Sequence, residues 1–450
     1  MVQFENLPID KLINPEGFVC ECGKTHKVSL KYLKIGRNAI ASLPECLSST
    51  GITRPFVVCD QNTYAAAGER AVQILNSAGI KCTLFMLSEH GYPKCEPNEW
   101  SLGSLAMNFD TKCDGIIAVG GGVINDLCKV LAFDTNRPQI ILGTAPSMDG
   151  FASNSSSMVV NEVKTTLYNR CPAGIVLDTE IMAKAPMRML WAGFGDMIAK
   201  YISLCEWRIS HLVIGEYYCE HVAQLMRNAL NRIMAASDGL AKRDPDSVQA
   251  VAEGLVLSGI AMSFAEVSRP ASGLEHYFSH MWEMLALERN APADLHGIQV
   301  GVGTYLTMNL YDEIRLITPN REKALKHMAE FDPKEWENKI RRVFGKTAPQ
   351  VLKIEEKTQK NSPEKHLKRL DAIIKCWDEI QKIIAEELPD KTWLFDKMRY
   401  LGMPMTPEDI NISPEDVRDA FLCARDIRDK YLSCSLLWDI GEIEELAEKL

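Results

Sequence analysis

Ala118-Val-Gly-Gly-Gly-Val-Ile-Asn-Asp126 is the stretch whose reading decides the fold. It follows Cys113-Asp-Gly-Ile-Ile117, a short apolar run with the character of a buried strand. It precedes Leu127-Cys-Lys-Val-Leu-Ala132, whose apolar residues have helical spacing. A strand that breaks at three glycines and restarts as a helix is how an α/β fold makes an anion site. Glycine lets the backbone approach a phosphate closely, and the free N–H groups of the helix start point at it. Asn125 and Asp126 fall in the expected first turn, where their side chains can cap the helix. An ordinary tight strand-to-helix turn is the alternative, but such a turn does not need three consecutive glycines. The stretch is not G-x-G-x-x-G, so a standard first dinucleotide crossover does not follow from it. Nucleotide phosphate is the favoured reading.

Outward from this turn the pattern is α/β. Lys31–Gly36, Pro55–Asp60, Lys81–Leu87, Gln139–Thr144 and Gly174–Asp178 read as strands. Ala39–Leu47, Thr63–Ala78 and Ser101–Phe109 read as helices between them. Such alternation predicts a parallel sheet covered on both faces, with ligands beyond the carboxyl ends of its strands. That rule gathers Asp60, the glycine turn and the loop Thr144-Ala-Pro-Ser-Met-Asp-Gly-Phe-Ala-Ser153. After residue 185 the texture changes to long helical periodicity, over 187–208, 212–238, 246–267, 273–288 and 296–312. The chain therefore reads as an α/β domain over 1–185 and an all-helical domain over 186–450. Residues 330–395, rich in Lys and Glu, read as solvated helices.

The 450-residue chain is 46% hydrophobic and 24% charged, as an ordinary globular protein is, and its net charge is −10. That charge argues against a general nucleic-acid binder, which carries a basic face. The opening Met1-Val-Gln-Phe-Glu-Asn has neither basic start nor apolar core of a signal peptide. No apolar stretch is expected to reach the length of a membrane span. Fourteen scattered cysteines, several in apolar runs, suit a reducing cytoplasmic compartment without disulfides. Cys20-Glu-Cys22-Gly-Lys-Thr-His26 resembles half a zinc knuckle. No second Cys/His pair follows at a suitable distance, and a structural zinc takes four ligands, so a packed edge strand or turn is expected there.

The helical half carries the chemistry. Gly193-Phe-Gly-Asp196-Met-Ile-Ala-Lys200 puts an acid on a glycine-punctuated helix start. Ser272-Gly-Leu-Glu-His276-Tyr-Phe-Ser-His280 places two histidines at i and i+4, on one helix face. Leu295-His296-Gly opens another helix. Each has a bland reading as a cap or a satisfied core residue. Together, an acid and three histidines can surround one divalent ion, and imidazole plus carboxylate suits Zn²⁺, Ni²⁺ or Fe²⁺. Three protein ligands with an open position make a catalytic site. His26, His90, His211, His221, His327 and His366 are given no role.

These motifs, in this order, resemble the sn-glycerol-1-phosphate dehydrogenases, within the superfamily of iron-containing alcohol dehydrogenases, glycerol dehydrogenase and dehydroquinate synthase. The chain is most similar to their bacterial branch, with Cys20-x-Cys22-Gly-x-x-His26 as a further shared motif. The resemblance implies a dehydroquinate synthase-like fold, a Rossmann-like α/β domain followed by a helical one. It implies NAD(H) or NADP(H) as cofactor, one divalent ion (nickel or zinc), a homodimer, and a product that enters phospholipid synthesis. Asp60 would bind the adenosine ribose. Gly120 and Gly121 would shape the turn, and Gly122, Val123, Ile124, Asn125 and Asp126 would hold the pyrophosphate. Thr144, Ala145, Pro146 and Ser147 would line the cofactor further along, with Ser153 beside it. Asp196, His276 and His296 would hold the metal. Asp149, His280 and Asp196 would face the substrate, with Asp149 and His280 as the catalytic pair. Lys200 stands where iron-dependent alcohol dehydrogenases carry a further histidine ligand, and Gly143 where a proline is common. Lys200 and Lys129 are the candidates for the substrate phosphate.

The reaction so implied is hydride transfer between the nicotinamide and C2 of dihydroxyacetone phosphate, giving sn-glycerol 1-phosphate. A lyase of the dehydroquinate-synthase type, a glycerol or polyol dehydrogenase, and a non-catalytic nucleotide-binding paralogue are the competing readings. No membrane or nucleic acid enters any of them.

Overall fold

The apolar runs on either side of the glycine turn pair into a parallel sheet. A computed structural model describes residues 3–87 and 95–450, so His90 lies outside the described residues. In chain order the strands are β1 (Phe18–Val19), β2 (Thr25–His26), β3 (Tyr32–Gly36), β4 (Pro55–Cys59), β5 (Thr83–Met86), β6 (Gly115–Gly120), β7 (Gln139–Gly143), β8 (Ser155–Val160), β9 (Val163–Tyr168) and β10 (Gly174–Asp178). Six of them form one sheet in the order β3-β10-β7-β6-β4-β5, every neighbour parallel. β1–β2 and β8–β9 are antiparallel ribbons outside it.

The central strands are apolar without a break because both faces are covered. Val57, Ile117, Val119, Ile140, Leu142 and Val176 pack on one face against Leu43, Leu47, Ala71 and Leu75. Phe56, Val58, Ile116 and Ala118 pack on the other against Leu105, Leu127, Cys128 and Leu131. From β4 the chain moves outward to β5, and from β6 it moves the opposite way to β7. The order therefore reverses between β4 and β6, whose carboxyl ends lead into Asp60 and Gly121. In an open parallel sheet the crevice at that reversal is where ligands bind.

The β8–β9 ribbon was not expected. Asn161 and Glu162 join its strands with φ of 52° and 64°, the two left-handed residues of a tight hairpin turn. The polar run Ser155-Ser-Ser hides the strand, in which Ser156 and Met158 are buried and Ser157 between them is exposed.

The described chain falls into two compact units, Met1–Met197 with Cys219–Ser268, and Ile198–Tyr218 with Arg269–Leu450. The first contains the sheet together with the helices Glu220–Leu240 and Pro245–Ala265. Pro245–Ala265 is long and apolar enough to cross a membrane by length and composition. This corrects the expectation that no stretch reaches that length. The helix is mostly buried within the protein and packs along Glu220–Leu240, so its apolar surface has a partner. The second unit is helical, with no strand among its described residues. Its charged segment forms the helices Pro333–Phe344, Ala348–Thr358 and Pro363–Glu387, which bury Ile340, Val343, Val351, Leu370 and Ile380 and leave most of their charges outside, Glu387 and Arg369 being exceptions.

Candidate active site

The glycine turn ends β6 and begins the helix Gly122–Asp134, with Gly121 at the N-cap position and no side chain capping the first turn. Asn125 and Asp126 do not cap it, contrary to expectation. The Asn125 carboxamide donates to the Gly150 carbonyl at 3.4 Å and accepts from Nε2 of Gln139 at 3.0 Å. The Asp126 carboxylate accepts from the Ser157 N–H at 3.0 Å and faces Lys129 at 3.6 Å. Both side chains point across to the loop after β7 and the strand that follows it. The N–H groups at the helix start are therefore not spent on side chains, which is what an anion site requires.

Close packing explains Gly120 and Gly143. A Cβ on Gly120 would stand 2.8 Å from Ile124, and one on Gly143 would stand 2.5 Å from Leu177. Gly143 thus fills a place with no room for a side chain. A Cβ on Gly121 would come no nearer than 3.7 Å to anything, the Ser147 hydroxyl being closest. The turn is tied to the next strand by the Thr144 N–H, which donates to the Gly120 carbonyl at 3.2 Å.

Asp60 follows β4 and closes a capping box. Its carboxylate accepts from the Thr63 N–H at 2.7 Å, while its own N–H donates to the Thr63 hydroxyl at 3.0 Å. Further along, Pro146 lies under Gly193, where a Cβ would collide with the Pro146 carbonyl. This contact brings the loop 144–149 against the helix Met187–Ile198. The Asp149 N–H donates to the fully buried carboxylate of Asp196 at 3.0 Å. The Asp149 carboxylate accepts from the Ser258 hydroxyl at 2.8 Å.

Lys129 is buried and donates to Ser155 O at 2.8 Å, Ser153 Oγ at 3.1 Å and Gly150 O at 3.2 Å. Burial lowers its pKa, which Asp126 partly restores. An ammonium has three N–H bonds, so this lysine stitches the loop after Asp149 and has no donor left for a substrate phosphate. Ser153 belongs to the same cluster. Lys200, in the second unit, is fully buried and donates to the Ala271 carbonyl at 3.0 Å.

The second unit gathers the three histidines. His276 and His280 lie on the helix Leu274–Glu288, and His296 opens the helix His296–Ile314. Ring centroids of His276 and His296 are 5.4 Å apart, those of His280 and His296 5.5 Å, and those of His276 and His280 6.4 Å. Nδ1 of His276 meets the buried Glu275 carboxylate at 2.8 Å. Nδ1 of His296 meets the Ser279 hydroxyl at 3.0 Å. Glu283 stands 3.5 Å from His280 and 3.4 Å from His296, and the three can offer ligand atoms within 4.8 Å of one another.

Glu275 and Glu283 were missed as site residues. Glu275 stands beside His276 in the motif itself, and Glu283 lies three residues after His280, so both carried a signal. Ser258 carried none. Glu206 is a further buried acid; it accepts from the N–H groups of Leu274 and Ser433, each at 2.9 Å. Burial, together with the charge of Glu275, pushes its pKa up to about 7.

Residues 34–186 match the family model described as iron-containing alcohol dehydrogenase. The chain is 37% identical over 293 residues to a protein of Halalkalibacterium halodurans named glycerol-1-phosphate dehydrogenase [NAD(P)+], covering 65% of this chain and 73% of that one. It is 30% identical to a protein of the same name from Bacillus licheniformis over 433 residues, 96% of this chain and 94% of the other. Among solved structures it is similar to a glycerol dehydrogenase of Schizosaccharomyces pombe, with a TM-score of 0.59 at 16% identity over 93% of this chain and 90% of that one. A maleylacetate reductase of Agrobacterium tumefaciens gives 0.60 at 14% identity, over 94% and 97%. The two structures share the fold, and the two sequence relatives fix the branch within it: the chain belongs to the glycerol-1-phosphate dehydrogenase family of the iron-containing alcohol dehydrogenase superfamily.

Proposed function

We infer that the protein is an NAD(P)-linked glycerol-1-phosphate dehydrogenase. It interconverts dihydroxyacetone phosphate and sn-glycerol 1-phosphate with the help of a divalent metal ion, nickel or zinc. The observation that carries this reading is the convergence of His276, His280 and His296 in one unit of a chain similar to such a dehydrogenase over 96% of its length. We place its work in the cytoplasm and its cofactor in the 1–185 region, with metal and substrate held mainly by 186–450, in a homodimer.

The residues fit both the metal ion and the dinucleotide. Nδ1 of His276 is engaged by Glu275, which directs Nε2 towards a ligand, as an oriented metal-binding histidine requires. The first turn of Gly122–Asp134 has no side-chain cap, which suits a pyrophosphate. His276 and His296 are the proposed imidazole ligands, and Asp196 joins them on the sequence resemblance. When bound, the metal supplies Lewis-acid polarisation of the substrate carbonyl and the nicotinamide supplies the hydride.

The chain's own groups do the rest. Gly120–Asp126 fixes the cofactor through backbone N–H groups, and Thr144 to Ser147 with Ser153 border it. Asp60 accepts from the adenosine ribose through a carboxylate already steadied by Thr63. Asp149, held by Ser258, accepts from a substrate hydroxyl. His280 delivers a proton to the C2 oxygen on reduction and removes it on oxidation, with Glu283 beside it to stabilise the charged ring.

Metal-reconstituted protein incubated with NADH and dihydroxyacetone phosphate should oxidise the NADH. A chelator should stop the reaction, nickel or zinc should restore it, and chiral analysis should find the sn-1 product. A folded, metal-loaded protein that never turns over cofactor would refute this reading and favour the lyase.

A further inference from the structure

The N-terminal ribbon is too small to hold itself together. β1 and β2 have two residues each, and a short two-stranded ribbon is marginal in water. Its turn, Cys20-Glu-Cys22-Gly23-Lys24, is closed by the Cys20 N–H donating to Lys24 O at 3.0 Å and the Gly23 N–H donating to Cys20 O at 3.1 Å. Gly23 takes a φ of +88°, a conformation that favours glycine. The turn curls both cysteines towards His26. Into the same place comes Cys219, the residue just before the helix Glu220–Leu240. It lies far away in sequence but in the same unit.

Four ligand atoms, three sulfurs and one imidazole nitrogen, lie within 4.8 Å of one another. Cys22 Sγ is 3.3 Å from His26 Nε2, Cys219 Sγ is 3.4 Å from the same nitrogen, and Cys20 Sγ is 3.7 Å from Cys219 Sγ. A tetrahedral zinc with its usual bond lengths sets sulfurs about 3.8 Å apart and sulfur to nitrogen about 3.6 Å apart. The observed separations are those of ligands around a common centre. They are poorly explained as thiol hydrogen bonds, since Nε2 has one lone pair and two thiols approach it.

The imidazole is oriented for the same task. His26 is fully buried, and its Nδ1 donates to the Phe264 carbonyl at 2.8 Å. That bond fixes the tautomer with the Nε2 lone pair facing the sulfurs, the arrangement that accompanies metal-bound histidines. Phe4 and Phe264 pack against the ring, Phe18 packs against both of them, and together they exclude water. Cys20 and Cys219 are buried as well. A closed set of four protein ligands leaves no position for substrate, which marks a structural centre.

We propose that Cys20, Cys22, His26 and Cys219 form a structural Cys3His zinc site that pins the N-terminal ribbon to the start of the helix Glu220–Leu240. The N-terminal motif shows three of the four ligands; the fourth stands 193 residues after His26, at the start of another helix, where spacing along the chain does not connect it to them. Packed free thiols and a Cys20–Cys219 disulfide are the competing accounts.

The test uses the full chain, purified with reductant and loaded with cobalt. A thiolate-to-cobalt charge-transfer band in the near ultraviolet is expected. The metal ligands proposed for catalysis include no cysteine, so they cannot produce that band, and the result is independent of the enzymatic reading. Cys22→Ser and Cys219→Ser should each abolish or shift the band. The zinc content of the wild-type protein should exceed that of Cys219→Ser by about one ion per chain. Should Cys219→Ser fail to fold, the wild-type spectrum decides alone. No thiolate band in cobalt-loaded wild-type protein, or a Cys20–Cys219 disulfide found by mass spectrometry in the active enzyme, would overturn the proposal.

Discussion

Oε1 of Glu275 lies 2.8 Å from Nδ1 of His276 and takes a second hydrogen bond, also 2.8 Å, from the N–H of Gly273 at the helix start. The carboxylate is fully buried, so it aligns the imidazole from a fixed position. Glu275→Gln keeps the shape but can turn an amide N–H towards His276, which favours the wrong tautomer. Groups that orient a metal-binding histidine are typically worth about 10–100-fold in metal affinity or activity. Glu275→Gln should weaken metal binding within that range, measured by competition with a chelator. His276→Ala should lose the catalytic metal outright. Unchanged affinity in Glu275→Gln would remove Glu275 from the site.

Two neighbouring glycines should fail in different ways. Gly120→Ala places a Cβ 2.8 Å from Ile124 inside the packed strand-to-helix junction. Overpacking of this kind costs about 1–3 kcal/mol, so its melting temperature should fall. Gly121→Ala meets nothing closer than 3.7 Å. It should keep its melting temperature and bind NADH more weakly, because the new methyl stands at the uncapped helix start where the pyrophosphate is proposed to sit. Calorimetric melting and fluorescence titration with NADH separate the two effects. Equal behaviour of the variants would argue that the turn is only a turn.

Much of the first unit was legible because Pro55–Cys59, Gly115–Gly120, Gln139–Gly143 and Gly174–Asp178 are apolar except for the terminal Gln139 and Asp178, the mark of strands buried on both faces. The hairpin Ser155–Tyr168 was not, since one of its faces is exposed and its first residues are serines. Nor could periodicity reveal that 219–268 joins the sheet-bearing unit, because an apolar helix face does not name its partner. Of the candidate site, His276 and His280 stand out by their i/i+4 spacing and His296 by its place at the next helix start. The side-chain partners of Asn125, Asp126 and Lys129 do not: first-turn position suggests that Asn125 and Asp126 cap the helix, whereas all three side chains bond across to Gly150–Ser157. Cys219 joins Cys20, Cys22 and His26 only through the fold.

Asp60 offers a test of cofactor choice. Its carboxylate both caps a helix turn through Thr63 and, on the proposed reading, faces the adenosine ribose. Asp60→Asn keeps a good cap and removes the charge. A unit charge repels another about 4 Å away by about 1 kcal/mol in water, roughly fivefold in affinity. The NADPH-to-NADH ratio of kcat/KM should therefore rise by about fivefold or more, with stability unchanged. A ratio that does not move would place the ribose elsewhere.

Glu206 should leave a mark on the pH dependence of stability. It is buried beside the charge of Glu275, and its pKa is raised from 4.5 to about 7 in the folded protein. A carboxyl with a raised folded pKa binds its proton more tightly when folded than when unfolded. Its contribution to stability is complete below about pH 4.5 and is lost as pH rises towards 7. The Ser433 hydroxyl and N–H and the charge of Arg269 oppose this by stabilising the anion, but they do not outweigh burial. The melting temperature of the wild-type protein should therefore drift downwards between about pH 5 and 7, once ordinary acid destabilisation has passed. Glu206→Gln cannot titrate and should show a flatter profile through that window. It should be less stable than wild type at the acid end, where one backbone or hydroxyl donor now faces an amide N–H. Parallel melting curves in buffers of equal ionic strength decide the matter, and identical slopes would mean that Glu206 stays ionised throughout.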